Sequence, residues 1–509
     1  MKKKKVVLII MDGWGLAPEN KFNAIANAKT PSFDRLVREY PNTRLKSDGL
    51  AVGLPEGQFG TSEVNHLTIG AGRVIFQDLP RINMAIEDKS FFDNEAILKT
   101  VKHVEKNKSH LHLLGILSDG GVHTHIDHLI AILKLLNKQK FKQQIYLHVF
   151  TDGRDVAPKS AFKYFQKLEK ALIKLKNINV SIATIQGRSY LDRDRDWDRT
   201  ETAFKLIAKG EGNPISDWQA VLNLAYATYS TDEQLPQFIL NQNGLLKDND
   251  GLIIYHYRTD RLYQIVRRIL DEKFKNFEIT TFIQASEEFT TINVAFPRQK
   301  VTDTLAETIA KAGKSQLHVT ETEKFPHLTF FLNGEREQEF TLETWKMFES
   351  NRFVKPIYSF EPSMRNFDIT KEVIDSIIQD KFDFIVANLS SADMVGHTGN
   401  YEAAVVSAES VDYCLGKIHE AIKEKLTDYA LIITADHGNS DIMWDYKNKQ
   451  PHTQHTTSPV PFILVSDLNC KLHRRETLSD IAPTILDLMG IKKPSIMTGE
   501  SLIIEENNI

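Results

Sequence analysis

The sequence predicts an α/β fold with two domains, one of them split along the chain. Short apolar runs alternate with helical periodicity almost throughout, the rhythm of α/β proteins. At 509 residues the chain exceeds what one hydrophobic core usually supports. The acidic and histidine residues that end several apolar runs lie at opposite ends of the chain, so the domain that unites them must be discontinuous.

Those runs come first. Residues 6–11 lead into Asp12, and residues 384–389 are followed by Asp393 and His397. Residues 431–435 end in Asp436 and His437, and His455 precedes the run 460–465. Runs of this length, rich in Val, Ile and Leu, read as buried strands of a parallel sheet. Ligands of open α/β sheets bind beyond the carboxyl ends of such strands. A single Asp there is usually a cap, and a single His usually structural. Six together point to a binuclear metal site.

The middle of the chain repeats the rhythm on its own. Strands are expected at 111–117, 145–150 and 180–185, with helices at 126–136 and 161–175 between them. This segment reads as an independent insert, starting after the glycine-rich residues 69–73 and ending near a helix at 302–311. The expected division is 1–76 with 311–509 for the metal domain and 77–310 for the insert.

Composition narrows the partners. Lys and Arg number 63 against 67 Asp and Glu, so the net charge of −4 gives no reason to expect nucleic acid or an acidic membrane surface. The basic run 2–5 reads as a solvated terminus, because Asp12 interrupts the apolar stretch behind it and no cleavage site follows. No stretch approaches the roughly 20 apolar residues that span a bilayer. Cys414 and Cys470 have neither ligand nor disulfide-framework spacing, which fits a reducing cytoplasm and inert packing.

The spacing of the acidic set fits metal chemistry. Asp393 and His397 are four apart, on one face of a helical turn. Asp436 and His437 are adjacent, which requires a loop. Mixed Asp/His ligation suits zinc or manganese better than magnesium. Ser62, in Gly60-Thr61-Ser62-Glu63, carries two readings of equal weight. It is a helix N-cap followed by a favourable acidic residue, or it is a nucleophile activated by a divalent cation.

These residues carry a resemblance. Asp12-Gly13-Trp14-Gly15, Ser62-Glu63-Val64, Asp393-Met394-Val395-Gly396-His397-Thr398-Gly399, Thr434-Ala435-Asp436-His437-Gly438-Asn439 and His455-Thr456-Thr457 resemble cofactor-independent phosphoglycerate mutases, in order and over essentially the whole chain. The resemblance implies an alkaline-phosphatase-like domain with two manganese ions and an inserted phosphotransferase domain. Asp393, His397 and His455 would hold one ion. Asp12, Ser62, Asp436 and His437 would hold the other.

A metal-bound serine alone describes a phosphatase or phosphodiesterase, the competing function, so the insert must decide the reaction. His123, Arg154 with Asp155, Arg188 with Arg193, and Arg258 with Arg261 follow its expected strands. Arginine pairs bidentately with phosphate and carboxylate, the two anionic groups of phosphoglycerate. Arg195 and Arg199 sit among aspartates and read as surface ion pairs. The others match the mutase pattern. Lys324 matches it too, although its residue type and position alone would equally describe an exposed lysine.

The implied reaction interconverts 3-phosphoglycerate and 2-phosphoglycerate without 2,3-bisphosphoglycerate. A phosphoserine forms on Ser62, Lys324 stabilises charge, Asp155 moves protons, and domain closure excludes water. A monomer is implied as well. The nucleophile segment departs from the family's usual Gly-Asn-Ser-Glu-Val-Gly-His-Leu-Asn at Thr61, Asn65 and Thr68. Asparagine is the least costly replacement for glycine if position 65 needs positive φ. His256 stands where an asparagine is common. Residues 335–364 diverge most and carry no assignment.

Overall fold

The run that opens the chain becomes the strand Lys5–Met11, with every side chain from Val6 to Met11 buried. In this computed structural model, which describes residues 3–191, 194–228, 231–355, 357–474 and 477–505, it lies at the middle of a seven-stranded sheet. Its neighbours are Phe384–Leu389 and Tyr429–Thr434, both parallel to it. The three runs that end in metal-type residues are therefore adjacent strands. Met11 pairs with Leu389 and Ile10 with Thr434, so their carboxyl ends are level. Neighbouring strands lie about 4.8 Å apart, which brings the residues that follow them onto one short edge.

On one side the sheet continues through Gln316–Glu321 to the edge strand Glu343–Phe348, within the stretch that carried no assignment. On the other it continues through Val460–Val465 to Asn42–Leu45. Here the parallel reading is corrected, because Val460–Val465 runs antiparallel to both neighbours. A continuous apolar run records burial on both faces, and it does not record strand direction.

The chain divides into two compact units, residues 1–77 with 300–509, and residues 78–299. The expected boundary at residue 310 therefore moves back to 299. The helix Leu305–Lys311 explains the shift, since Leu305 and Ile309 bury into the first unit's core.

The second unit has its own eight-stranded sheet and its own apolar core. Four parallel strands at its centre run in the order Gly251–Ile254, Leu111–Ile116, Gln144–Thr151 and Asn179–Gly187. The helices Ile126–Lys138 and Ala161–Leu172 connect successive strands as the periodicity predicts. Cys414 and Cys470 are both buried. Among the described residues no helix is long and apolar enough to cross a membrane.

Candidate metal centre and anion clamp

Asp12, Asp393 and Asp436 emerge from the three level strand ends and are all buried. The crossing is tight. Gly13 has φ of +78°, and a Cβ there would lie 2.6 Å from the Asp393 Cα, so only glycine lets the two turns pass. Lys324 follows the neighbouring strand Gln316–Glu321 in a 3-10 turn and is 3% exposed. Its ammonium donates to Asp12 Oδ1 at 2.8 Å, Asp393 Oδ2 at 2.6 Å and Ser62 Oγ at 2.7 Å. The exposed-lysine reading of Lys324 is thereby excluded.

Ser62 is the first residue of the helix Ser62–Ala71, and Thr61 is its N-cap. The Thr61 hydroxyl accepts from the Val64 amide, which releases the Ser62 hydroxyl from capping. Ser62 Oγ instead lies 2.9 Å from His437 Nε2. Ser62 is therefore not the cap, and its hydroxyl lies between His437 and Lys324.

His397 ends the short helix that carries Asp393, and the His455 ring meets it from a separate loop. His397 Nδ1 donates to the Thr453 carbonyl at 2.7 Å, and His455 Nδ1 to the Gly60 carbonyl at 2.8 Å. A neutral ring held in this way presents its Nε2 lone pair. The two Nε2 atoms lie 3.1 Å apart, and 3.2 and 3.3 Å from Asp393 Oδ1. Three acceptor atoms facing one another could hold a cation, and the residues present fit one.

A second convergence lies beside it. Ligand atoms of Asp12, Asp393 and His437 fall within 4.8 Å of one another, as do those of Asp12, His66 and Asp436. Asp436 Oδ2 accepts no hydrogen bond among the described residues, with His437 Nε2 3.2 Å away. His66 is not an open donor. Its Nδ1 donates to the Ser62 carbonyl, and its Nε2 meets the Asn388 amide.

The electrostatics follow from three carboxylates sharing one buried ammonium. Burial, then the charge of Asp436, raises the pKa of Asp12. Burial also opposes ionisation of Asp393, but the charge of the Lys324 ammonium outweighs it and holds the carboxyl well below the ordinary range. Burial opposes the charge on Lys324 too, and Asp12, Asp393 and Asp436 outweigh it, so the ammonium is held firmly. Burial, then His455, pushes the His437 imidazole down to about 3.

The sequence reading missed three residues here. Asn388 donates to Asp12 Oδ2 at 2.7 Å, and Asn439 to Asp393 Oδ1 at 2.8 Å. His66 braces the Ser62 turn. Asn388 was legible as the polar residue inside an otherwise apolar strand run. Asn65 was singled out for the wrong reason. It lies within the helix Ser62–Ala71 and has no positive φ, so its role is in its side chain.

The clamp residues lie in the second unit, after its four central strands. Asp152, which no sequence argument picked out, is buried at their focus. It accepts from Ser118 Oγ and Arg188 Nη1, each at 2.6 Å, and from the backbone amides of Arg154 and Asp155. Arg188 is 1% exposed and also reaches Asp155 Oδ2 at 2.5 Å. The pairing with aspartates that the sequence reading set aside is therefore what Arg188 makes. Two carboxylates already engage its guanidinium.

Arg261 is buried and donates to the Leu191 carbonyl at 2.6 Å, bracing the turn that holds Arg188. Arg154 and Arg258 are half-exposed, 3.3 Å from Glu233 and 3.5 Å from Asp260. His123 is buried, with Nε2 3.7 Å from Asp155 Oδ2 and Nδ1 3.6 Å from Asp260 Oδ1. Burial, then the neighbouring His256 and arginines, pushes its imidazole down to about 2, which leaves it neutral. Arg193 lies outside the described residues.

Comparison with known proteins gives the family. The metalloenzyme superfamily matches residues 4–493. The chain is 44% identical to a 2,3-bisphosphoglycerate-independent phosphoglycerate mutase of Clostridium perfringens, over 99% of this chain and 100% of that one. It is 43% identical to the protein of that name from Clostridioides difficile, with the same coverage. Among solved structures it is similar to Leishmania mexicana phosphoglycerate mutase at low cobalt concentration. That match has 29% identity and a TM-score of 0.56, and it covers 99% of this chain and 98% of the other.

Proposed function

The chain belongs to the family of 2,3-bisphosphoglycerate-independent phosphoglycerate mutases, and from that premise we propose how its residues carry out the isomerisation of glycolysis. The observation that carries the reading is the Ser62 hydroxyl, buried between the Lys324 ammonium at 2.7 Å and His437 Nε2 at 2.9 Å.

In the first half-reaction Ser62 Oγ gives up its proton and forms a bond to phosphorus of 3-phosphoglycerate. The bond from phosphorus to substrate O3 breaks, and O3 takes up a proton. In the second half-reaction glycerate O2 loses a proton and bonds to the same phosphorus. The bond to Ser62 Oγ breaks, the serine oxygen takes back a proton, and 2-phosphoglycerate is released. Lys324 opposes the negative charge on the transferring group and on the serine oxygen, without reorganisation, because Asp12 and Asp393 already hold it in place.

Asp12, Asp393, Asp436, His397, His437 and His455 are the residues that would hold divalent cations, which we read as two manganese ions. When bound, the ions supply the charge that makes a serine hydroxyl a usable nucleophile. The solved relative's cobalt supports a divalent ion of this kind. Three carboxylates against one ammonium leave a net charge that cations would balance.

Glycerate must be kept while the phosphoryl group is on Ser62. Arg154 and Arg258, half-exposed, and neutral His123 are the groups we assign to its carboxylate and hydroxyls. Arg188 and Arg261 hold that constellation in shape. Asp155, which accepts from Arg188, is the assigned proton carrier between O2 and O3. A single chain in the cytoplasm completes the reading.

The experiment is direct. Purified protein, 3-phosphoglycerate and manganese, without 2,3-bisphosphoglycerate, should yield 2-phosphoglycerate, with a phosphorylated serine peptide trapped by acid quench. Release of inorganic phosphate in place of 2-phosphoglycerate, or full activity in Ser62→Ala, would overturn the assignment.

A further inference from the structure

Asn65 joins three segments that the chemistry requires to stay in register. It is fully buried, one helical turn after Ser62. Its Nδ2 donates to the Asp436 carbonyl at 2.6 Å and to the Ser47 carbonyl at 3.0 Å. The first bond ties the helix that carries Ser62 to the loop that carries Asp436 and His437, 371 residues away. The second ties both to the segment before the turn at Gly49. With two carbonyl oxygens facing it, the amide has only one sensible orientation, NH2 inward.

A second feature shows that space is reserved for this amide. A Cβ on Gly60 would lie 2.3 Å from Asn65 Nδ2, and 2.0 Å from the Ser47 oxygen. The bare Cα of Gly60 therefore lets the amide enter, while the Gly60 carbonyl holds His455. The side chain of Asp436 is fixed as well, because its Oδ1 accepts from the His437 backbone amide at 2.9 Å. With the Asp436 carbonyl pinned by Asn65 and its carboxylate pinned by the next amide, the loop has little freedom. The 2.9 Å separation of Ser62 Oγ and His437 Nε2 depends on that loop.

We propose that Asn65 is a positioning residue of the phosphoryl-transfer site, setting the Asp436–His437 loop against the helix that carries Ser62. The Asn65 amide is engaged by two backbone carbonyls. It acts through the distance between a nucleophile and its partners, and such distances govern rate more than substrate affinity. The proposal rests on the mutase reading above.

The test uses the full-length protein with Asn65→Ala and Asn65→Asp. Alanine removes both donors. Aspartate keeps the shape but turns an acceptor toward two carbonyls. Three quantities are measured: kcat and KM for 3-phosphoglycerate, the affinity for manganese by calorimetry without substrate, and the thermal midpoint. For Asn65→Ala kcat should fall by about tenfold, the worth of one well-placed hydrogen bond, with KM unchanged. Manganese binding should weaken, and Asn65→Asp should be worse in both.

A lower thermal midpoint with wild-type kcat, KM and manganese affinity would overturn the proposal and make Asn65 a packing residue only. If Asn65→Asp does not fold, Asn65→Ser supplies a shorter donor and is expected between wild type and alanine. A kcat for Asn65→Ser no better than for alanine would also count against it. Wild-type protein without mutase activity would sink the functional reading instead, so the two failures are distinct.

Discussion

The Lys324 ammonium stands 2.7 Å from the Ser62 hydroxyl and 2.6 Å from an Asp393 carboxylate oxygen, on a buried side chain. One cation thereby touches both the proposed nucleophile and a carboxylate shared by two of the three candidate metal clusters among the described residues.

Replacing Lys324 by methionine keeps its bulk and removes its charge. Mutase kcat should fall by about a hundredfold or more, the usual loss for a donor aimed at developing charge. With manganese removed, three carboxylates would then face one another uncompensated, so the thermal midpoint of Lys324→Met should depend on metal more steeply than that of wild type. Turnover within tenfold of wild type would refute the role.

Metal removal should act on stability as well as on turnover. A cation that binds only the folded state stabilises it by about 2.7 kcal/mol at a free concentration a hundred times Kd. Chelator-treated protein should therefore melt lower and recover with added manganese. His397→Ala should narrow the interval between the two midpoints. Identical midpoints with and without metal would contradict the donor geometry at Asp393, His397 and His455.

The half-exposed arginines test the choice between mutase and phosphatase. Arg258→Ala and Arg154→Ala should raise KM for 3-phosphoglycerate and raise the share of turnovers that end in free phosphate, since glycerate would leave before taking the phosphoryl group back. A lower kcat with an unchanged product ratio would mean that neither arginine retains glycerate.

Asp152 gives the second unit an acid-side weakness. Burial works against its charge, but the Ser118 hydroxyl, the Asp155 amide and Arg188 outweigh burial and lower its pKa. The unfolded chain, with a carboxyl pKa of about 3.9, takes the proton first as pH falls. The contribution is thus complete above about pH 4 and is lost as pH falls through the lower folded value. Asp152→Asn should be less stable than wild type at pH 7, and the gap in urea midpoint should close as pH falls below about 4. A gap independent of pH would show that Asp152 contributes only packing.

Much of the site was legible because strand ends are local features. An apolar run of six residues followed by Asp or His announces itself without knowledge of its neighbours, and six such residues matched one chemistry. The same locality explains the errors. The run 460–465 looked parallel because burial on both faces leaves no mark of direction. The helix Leu305–Lys311 was placed at the boundary because its amphipathic face does not say which core receives it.

The sequence by itself determined the elements, the acidic and histidine residues that are candidate ligands, the candidate serine and the class of chemistry, since these depend on residue type and short spacing. Only the tertiary structure decided who touches whom. It put Lys5–Met11 between strands that begin at residues 384 and 429, buried Lys324 against Ser62, engaged Arg188 with Asp152 and Asp155, and set the Asn65 amide on the Asp436 carbonyl. Strand order and long-range burial choose those partners, and no residue carries that information in its near neighbours.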